Sequence, residues 1–375
     1  MKLIIEPADG VTPLLTAIKN AKKSVDIAIF RFDRKDVAAE LEAAAGRGVK
    51  VTALISFANR GGEQNLRRLE LRFLGAGIIV ARSADDLVRY HGKYILIDRR
   101  VLYMLSFNFT HLDVDHSRGF GIVTTNATWV HEATRLFRAD CTRTKYAPKI
   151  ETFVVSPVNS RKVLGTFLKR AKRELLIYDP RIADKEMLRV LQDRAKAGVE
   201  IRVIGKVDGN VPFEVQRLTG TRLHTRTIVR DRRQAFVGSQ SLRTAELDSR
   251  RELGLIIRDS KAVKKLAEAF EQDWESAPKP LDAPQDQPLP VSEKEAEKAV
   301  QVLTKQLDPL AVSVKAAVKK AVAKAGDEAL HDKGVKDTMK KVVKKAVKQA
   351  VKEAVEDAQD AAQDAQDAKS EKNEK

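Results

Sequence analysis

Residues 91–98 read HGKYILID, which places His91, Lys93 and Asp98 in the spacing H-x-K-x4-D. The alternation along this stretch predicts a β-strand, in which successive side chains point to opposite faces. His91 and Lys93, two residues apart, would then share one face. An ammonium can neutralise phosphate oxygens, and a neutral imidazole can supply a nucleophilic nitrogen. The stretch therefore predicts chemistry on a phosphodiester.

The same spacing returns later in the chain as His224, Arg226 and Asp231, and 224 − 91 = 133. This offset also relates four residues whose side chains can hydrogen-bond a phosphate. They pair as Ser106 with Ser239 and Asn108 with Ser241. Further residues match at the same offset: Gly121 with Gly254, Phe137 with Phe270, and Asp140 with Asp273. A register without gaps over about fifty residues predicts an internal duplication, with two half-sites that meet in one pocket.

Motif and duplication together resemble the phospholipase D superfamily, which carries two copies of H-x-K-x4-D-x6-G-S-x-N. The resemblance covers roughly residues 1–276 and implies two α/β sandwich halves that share one active-site cleft. The catalytic residues that it implies are His91, Lys93, Asp98, His224, Arg226 and Asp231. It implies that Ser106, Asn108, Ser239 and Ser241 bind the substrate phosphate and that Glu252 orients one imidazole. It implies neither a metal nor any other cofactor.

Four positions depart from the superfamily pattern. The first copy has Leu105 in place of glycine and Gly119 where the second copy has Glu252. The second copy has Arg226 in place of lysine and Ser241 in place of asparagine. Arginine keeps the positive charge but is larger and forked, so the exchange changes how a phosphate is held.

The resemblance implies a reaction in two steps at phosphorus. His91 attacks and forms a phosphohistidine, while His224 donates a proton to the leaving alcohol. We favour a phospholipid substrate, with hydrolysis or phosphatidyl transfer as the reaction. A nuclease of the same superfamily and a degenerate, non-catalytic phosphate-binding module are the alternatives.

The charge of the chain is unevenly distributed. The net charge is +17, while residues 279–375 hold nineteen lysines, no arginine and eighteen acidic residues. The excess therefore lies almost wholly in the first part, which favours a polyanionic partner. We expect an anionic phospholipid or membrane surface, contacted peripherally, with nucleic acid as the alternative. Because both half-sites belong to one chain, a monomer would be complete.

Cysteine usage and apolar runs bear on the compartment in which we expect the protein. Cys141 is the one cysteine, so no internal disulfide can form, which fits a reducing compartment. Residues 1–7 do not read as a signal peptide, and no apolar run approaches the roughly 20 residues needed to span a bilayer. These features predict a cytoplasmic protein.

Composition and periodicity predict four segments. Strand–helix–strand patterns in residues 1–148 and again in 149–276 predict parallel strands covered by helices. A proline-rich linker over 277–292 precedes an Ala/Lys/Glu-rich tail over 293–375 that is helical or disordered.

One cluster of His and Asp side chains lies outside the motifs. Residues 111–118 contain His111, Asp113, Asp115 and His116, which are residue types that ligate metals. The segment reads as a polar surface loop, and the implied mechanism needs no metal. We therefore expect no metal site here.

Overall fold

The duplication organises the fold, which a computed structural model describes for residues 1–57, 63–84, 87 and 89–276. The described residues belong to one compact unit. The first half comprises β1 (Lys2–Glu6), α1 (Thr12–Lys19), β2 (Ser24–Ile29), α2 (Lys35–Gly46), β3 (Lys50–Ile55), α3 (Glu63–Gly75), β4 (Ile79–Arg82), β5 (Arg89–Tyr90), β6 (Tyr94–Ile97), β7 (Val101–Leu105), α4 (His111–Asp115), β8 (Ser117–Thr124) and α5 (Ala127–Thr142).

The second half repeats this order with two differences: it has no counterpart of α3 among the described residues, and β16 and β17 together correspond to β8. It comprises β9 (Phe153–Val155), α6 (Ser160–Lys169), β10 (Glu174–Ile182), α7 (Lys185–Lys196), β11 (Glu200–Val207), β12 (Glu214–Gln216), β13 (Arg222–Leu223), β14 (Arg226–Arg230), β15 (Gln234–Gly238), α8 (Thr244–Asp248), β16 (Arg250–Arg251), β17 (Leu253–Ile257) and α9 (Ser260–Ser276).

Each half builds a mixed sheet with the same strand order. The first sheet runs β1-β8-β7-β6-β2-β3-β4, and the second runs β9-β17-β15-β14-β10-β11-β12. In both sheets the last three strands are parallel, and the others pair antiparallel. β2 is buried along its whole length, as expected for a parallel strand covered on both faces. The predicted pair of α/β halves is confirmed.

Two short strands cross between the halves. β5 of the first half pairs with β16 of the second, and β13 of the second half pairs with β8 of the first. Arg89 pairs with Arg250, and Arg222 pairs with Ser117. The two pairs are equivalent, because 222 − 89 = 133 and 250 − 117 = 133. These exchanged strands directly precede the two motif histidines. The duplication thus fixes both histidines against the opposite half.

A shared hydrophobic core lies where the halves meet. The rings of Phe120 and Phe270 both pack against Tyr178, with centroids 5.5 Å and 5.0 Å from it. The Tyr178 hydroxyl donates to Asp273, which also accepts from Arg118 of the first half. Burial of one such ring stabilises the fold by roughly 1.5–3 kcal/mol. The two halves therefore meet in a packed interface.

Two local predictions were wrong. The predicted strand over His91 and Lys93 begins only at Tyr94, because the N–H of His91 donates to the carbonyl of Arg251 in the other half. Residues 111–118 are not a surface loop, since α4 forms there and Asp113 is only 3 % exposed.

Other predictions concern regions that the structure describes partly or not at all. The predicted boundary between residues 148 and 149 lies in the connection from α5 to β9. The linker over 277–292 and the tail over 293–375 lie outside the described residues. Within the described ranges, no helix is long and apolar enough to cross a membrane.

Candidate active site

His91 lies in the cleft with one ring nitrogen already bonded. Its Nδ1 lies 2.7 Å from Oε2 of Glu252, and the ring N–H donates to this carboxylate from the opposite half. The phenyl ring of Phe30 packs edge-on against the imidazole, with centroids 4.6 Å apart. Because Nδ1 carries the proton, Nε2 keeps its lone pair. The sequence prediction that Glu252 orients an imidazole has a direct geometric basis.

The two motif cations are anchored in the same way. Nζ of Lys93 donates to the carbonyl of His91 over 2.8 Å, and Nη1 of Arg226 donates to the carbonyl of His224 over 2.6 Å. Each cation thus folds back on the histidine two residues earlier. Arg226 also places Nε 3.3 Å from Oγ of Ser241. Arginine therefore takes the place of lysine without losing the anchor.

His224 faces a carboxylate that the sequence analysis did not assign to the site. Its Nε2 lies 3.4 Å from Oδ2 of Asp113, which comes from α4 of the first half. Asp113 is fixed by Arg222 at 3.0 Å and by the backbone and side-chain N–H groups of Asn108, both at 2.7 Å. Nδ1 of His224 is buried and has no hydrogen-bond partner among the described residues. Each histidine therefore lies beside a carboxylate from the other half.

The two carboxylates come from non-equivalent positions. The duplication pairs Glu252 with Gly119, and a Cβ atom at Gly119 would lie 2.8 Å from Cδ1 of the buried Phe107. No glutamate fits there, and Asp113 approaches from the neighbouring helix. The counterpart of Asp113 is Glu246, which accepts from the backbone N–H of Ser241 over 2.6 Å. The sequence does contain a signal for Asp113, because an acidic residue, Glu246, lies 133 residues further on, at the offset that relates the two halves.

The predicted phosphate-binding serines are engaged in the sheets. Oγ of Ser106 accepts from the N–H of Phe120 over 2.9 Å, and Oγ of Ser239 accepts from the N–H of Leu253 over 3.1 Å. Both hydroxyls thereby bridge neighbouring strands. Oδ1 of Asn108 is buried and has no partner in the described part of the chain. The amide N–H of Asn108 already donates to Asp113, so the unpaired Oδ1 is an acceptor and cannot donate to a phosphate oxygen. Phosphate binding by these four residues stays a prediction.

Asp98 and Asp231 lie away from the histidines. Oδ1 of Asp98 accepts from the backbone N–H groups of Lys23 and Ser24 over 2.6 Å and 2.9 Å. Asp231 does the same for Arg173 and Glu174 in the second half. Both aspartates have positive φ angles and begin the turn after their strand. This position fits a role in fixing local geometry, and the membership of both aspartates in the catalytic set stays a prediction.

Burial and positive charge keep both imidazoles neutral. Burial lowers the pKa of His91 well below its ordinary value, and the charges of Lys93 and Arg226 lower it further. Burial lowers the pKa of His224 to about 3 despite the opposing charge of Asp113, and Arg226 and Lys93 contribute to the lowering. Each cation thus acts on the histidine of the other half. The two half-sites share one electrostatic environment.

The acidic partners respond oppositely to this environment. Burial raises the pKa of Glu252, and the nearby charge of Glu246 raises it further. Burial also tends to raise the pKa of Asp113, but His224 and Arg222 outweigh it and the pKa falls to about 2. Asp113 is therefore a permanent charge beside His224. In the described residues, no group of three or more His, Cys, Asp or Glu side chains is arranged to hold a metal.

Several solved structures share this fold. A polyphosphate kinase from Porphyromonas gingivalis has a TM-score of 0.62 at 23% identity, over 73% of this chain and 47% of that chain. This chain therefore spans about half the length of that kinase. A phosphatidylserine synthase from Haemophilus influenzae Rd KW20 has a TM-score of 0.56 at 11% identity, over 73% of this chain and 86% of that chain. At these identities the likeness concerns the fold alone.

A family model identifies the chain more directly. No curated protein matches it. The model described as "Cardiolipin synthase, PLD-like domain" matches residues 14–141 and 206–274, which is more than half of the chain and includes both motifs. The chain therefore belongs to this family, within the phospholipase D superfamily of phosphodiesterases and phosphotransferases.

Proposed function

We propose that the protein hydrolyses phospholipid phosphodiesters or transfers their phosphatidyl group to an alcohol, through a phosphohistidine on His91. One observation carries this proposal. Nδ1 of His91 donates to Glu252 over 2.7 Å, which leaves Nε2 as the nucleophile, and Lys93 is anchored on the carbonyl of the same histidine. Burial lowers the pKa of Lys93 well below its ordinary value, and the charge of Glu252 opposes this lowering. The matched family is described as cardiolipin synthase, and the first part of the chain is strongly basic. The family description favours a lipid substrate, whereas the positive charge favours any anionic substrate, nucleic acid included.

In the first step Nε2 of His91 forms a bond to phosphorus. The bond from phosphorus to the leaving oxygen breaks, and protonated His224 gives that oxygen its proton. Lys93 and Arg226 neutralise the charge that grows on the non-bridging oxygens. Glu252 stabilises the positive charge that develops on the His91 ring.

In the second step neutral His224 takes a proton from water or from an acceptor alcohol. The oxygen bonds to phosphorus as the bond to Nε2 breaks, which restores neutral His91. His224 is then protonated and ready for another turnover. No other reagent is required, and the same site gives hydrolysis or transfer according to the acceptor.

The substrate itself helps to protonate His224. In the free protein the pKa of His224 is about 3, because burial and three cations disfavour the imidazolium. A phosphodiester brings a negative charge between these cations and raises that pKa. Activity should therefore fall at high pH, as bound-state His224 loses its proton, and at low pH, as His91 gains one. The expected pH profile is bell-shaped.

A non-catalytic phosphate-binding module is the second candidate. The observation that favours it is the engagement of Arg226, which donates from Nη1 to the carbonyl of His224 and from Nε to the hydroxyl of Ser241. The second half-site therefore offers fewer open donors than the superfamily pattern implies.

One experiment separates these functions. The full-length protein, with chelator, is incubated with phosphatidylglycerol vesicles and ethanol, and separately with single- and double-stranded DNA. We expect glycerol release and phosphatidylethanol formation. DNA cleavage without lipid turnover would favour a nuclease, and binding without turnover would favour the non-catalytic module.

The nucleophile is tested with two histidine variants. His91→Ala should abolish turnover and remove the acid-labile phosphoprotein that quenched reactions with ³²P-labelled lipid contain. His116→Ala is the matched control, because His116 is exposed and follows α4. If folded His91→Ala protein still forms the phosphoprotein, the assignment of the nucleophile is wrong.

A further inference from the structure

A second cationic cavity lies at the other end of β6 from His91. A groove of about 660 Å³ separates the turn after β6 from one face of α5. We call it the α5 groove, and its basic lining residues are Arg99, Arg100, His131, Arg135 and Arg138. A cavity of this volume suits a ligand of small-molecule size. β6 alone spans roughly 13 Å, so the groove is distinct from the catalytic cleft.

Among the residues that the structure describes, none that lines the α5 groove carries a carboxylate. Two of its arginines have acidic partners outside the lining: Arg99 lies 3.2 Å from Asp26, and Arg135 lies 2.6 Å from Glu132. Arg100 and Arg138 are exposed and make no ion pair within the described residues. Ala127, at the first turn of α5, also lines the groove, and a helix N-terminus adds partial positive charge. The groove therefore concentrates positive potential around a cavity.

The second half shows that the fold does not require this charge pattern. At the 133-residue offset, Arg135 and Arg138 correspond to Glu268 and Glu271. Glu271 forms ion pairs there with Arg232, the counterpart of Arg99, and with Arg202 at 2.6 Å. In the second half, a carboxylate at the position equivalent to Arg138 therefore neutralises two arginines. The first half carries arginines where those carboxylates would be.

We infer that the α5 groove binds a phosphate compound with two or more negative charges. Several guanidinium groups around one cavity match the geometry of phosphate oxygens, which arginine binds through paired N–H groups. The ligand class includes free diphosphates and lipid headgroups that end in a phosphomonoester. This inference does not depend on the proposed reaction.

The test uses the full-length protein and two probes. Inorganic pyrophosphate is titrated by calorimetry, and vesicles of phosphatidic acid in phosphatidylcholine are tested by co-sedimentation against pure phosphatidylcholine. Arg138→Glu installs the residue of the second half, and Arg100→Ala removes a second guanidinium. Each should weaken binding about tenfold or more, which corresponds to the loss of one charge-assisted contact. Binding should also weaken with added salt.

Arg233→Ala is the matched control, because Arg233 is the exposed counterpart of Arg100 in the second half. It should leave binding unchanged, and so should His91→Ala, which separates the groove from the catalytic cleft. A response to pyrophosphate alone identifies a soluble ligand, and a response to phosphatidic acid vesicles alone identifies a lipid. Equal affinities of Arg138→Glu and Arg233→Ala, or no binding of either probe, would overturn the inference. A failure of turnover with intact binding would concern only the proposed reaction.

Discussion

Asp113→Asn tests whether a carboxylate from the first half positions and charges the histidine of the second. Oδ2 of Asp113 lies 3.4 Å from Nε2 of His224, and the side chain is 3 % exposed. Asparagine keeps the shape and can still contact Asn108, but it carries no charge. At an effective dielectric constant of about 20, unit charges at this separation interact by roughly 5 kcal/mol. The imidazolium of His224 should be destabilised by up to that amount.

The loss should depend on the leaving group. A phosphodiester with an alkyl leaving group needs a proton from His224, so its kcat should fall by about 10²–10⁴-fold. A p-nitrophenyl ester leaves as a stable anion and needs little protonation, so its kcat should change much less. The assay is steady-state kinetics of both esters with Asp113→Asn, with Asp113→Glu as the variant that should partly restore the alkyl ester rate.

Glu246→Gln is the matched control for this variant. Glu246 is the counterpart of Asp113, but it holds Ser241 and lies beside Arg250 at 3.3 Å. Its loss should leave the ratio of the two ester rates unchanged. Equal losses for both esters in Asp113→Asn would mean that Asp113 has only a structural role, and the reasoning would be refuted.

Three further predictions address other parts of the site. Glu252→Gln removes the charge that stabilises the His91 ring, so kcat should fall by about 10²–10⁴-fold for both esters; an unchanged kcat would contradict the orienting role. Gly119→Glu introduces a Cβ atom 2.8 Å from Phe107 and should reduce the free energy of unfolding by about 1–3 kcal/mol in urea titrations, whereas a stable variant would show that the core yields. Asp98→Ala removes hydrogen bonds to the backbone of residues 22–24, so the free energy of unfolding should fall by about 1–3 kcal/mol in the same assay. Its kcat should be retained. A large loss of kcat in folded protein would instead support a catalytic role for Asp98.

Asp98 also has a predictable effect on acid stability. Burial alone would raise its pKa, but hydrogen bonds from the N–H groups of residues 22–24 outweigh it and the pKa is lowered. The charged form therefore stabilises the fold above the pKa of the unfolded carboxyl, about 3.9, and this contribution is lost as the pH falls below it. Wild-type protein should consequently lose more stability than Asp98→Ala between pH 5 and pH 2, as measured by thermal unfolding.

The spacing of residues in the chain determined the larger part of the fold. A constant offset between two motif copies means that both halves have similar residues in the same order, so both adopt the same strand order. The offset predicted the pairing of His91 with His224 and the approximate ends of most strands. The alternation of side chains, by contrast, wrongly predicted a strand over His91. The N–H of His91 donates to Arg251, and no local pattern encodes a contact across 160 residues.

Part of the site could not be predicted locally because it depends on which atoms fill the interface. The ring of Phe107 leaves no space for a side chain at position 119, where the second half has Glu252. Asp113 supplies the missing carboxylate, and it does so because α4 packs beside the histidine of the opposite half. Asp98 fits the motif as well as His91 does, yet its hydrogen bonds place it in a turn. Two residues of the same motif therefore have different surroundings in the folded protein.

The sequence by itself determined the duplicated α/β architecture, the two histidines and the excess of positive charge, because these follow from residue order and composition alone. The tertiary structure decided which carboxylate serves which histidine. It also decided which arginines around the α5 groove have no acidic partner within the described part of the chain. The physical reason is that hydrogen bonds and charge interactions act over a few ångströms. Their partners here come from opposite halves of the chain, so only the folded arrangement brings them within range.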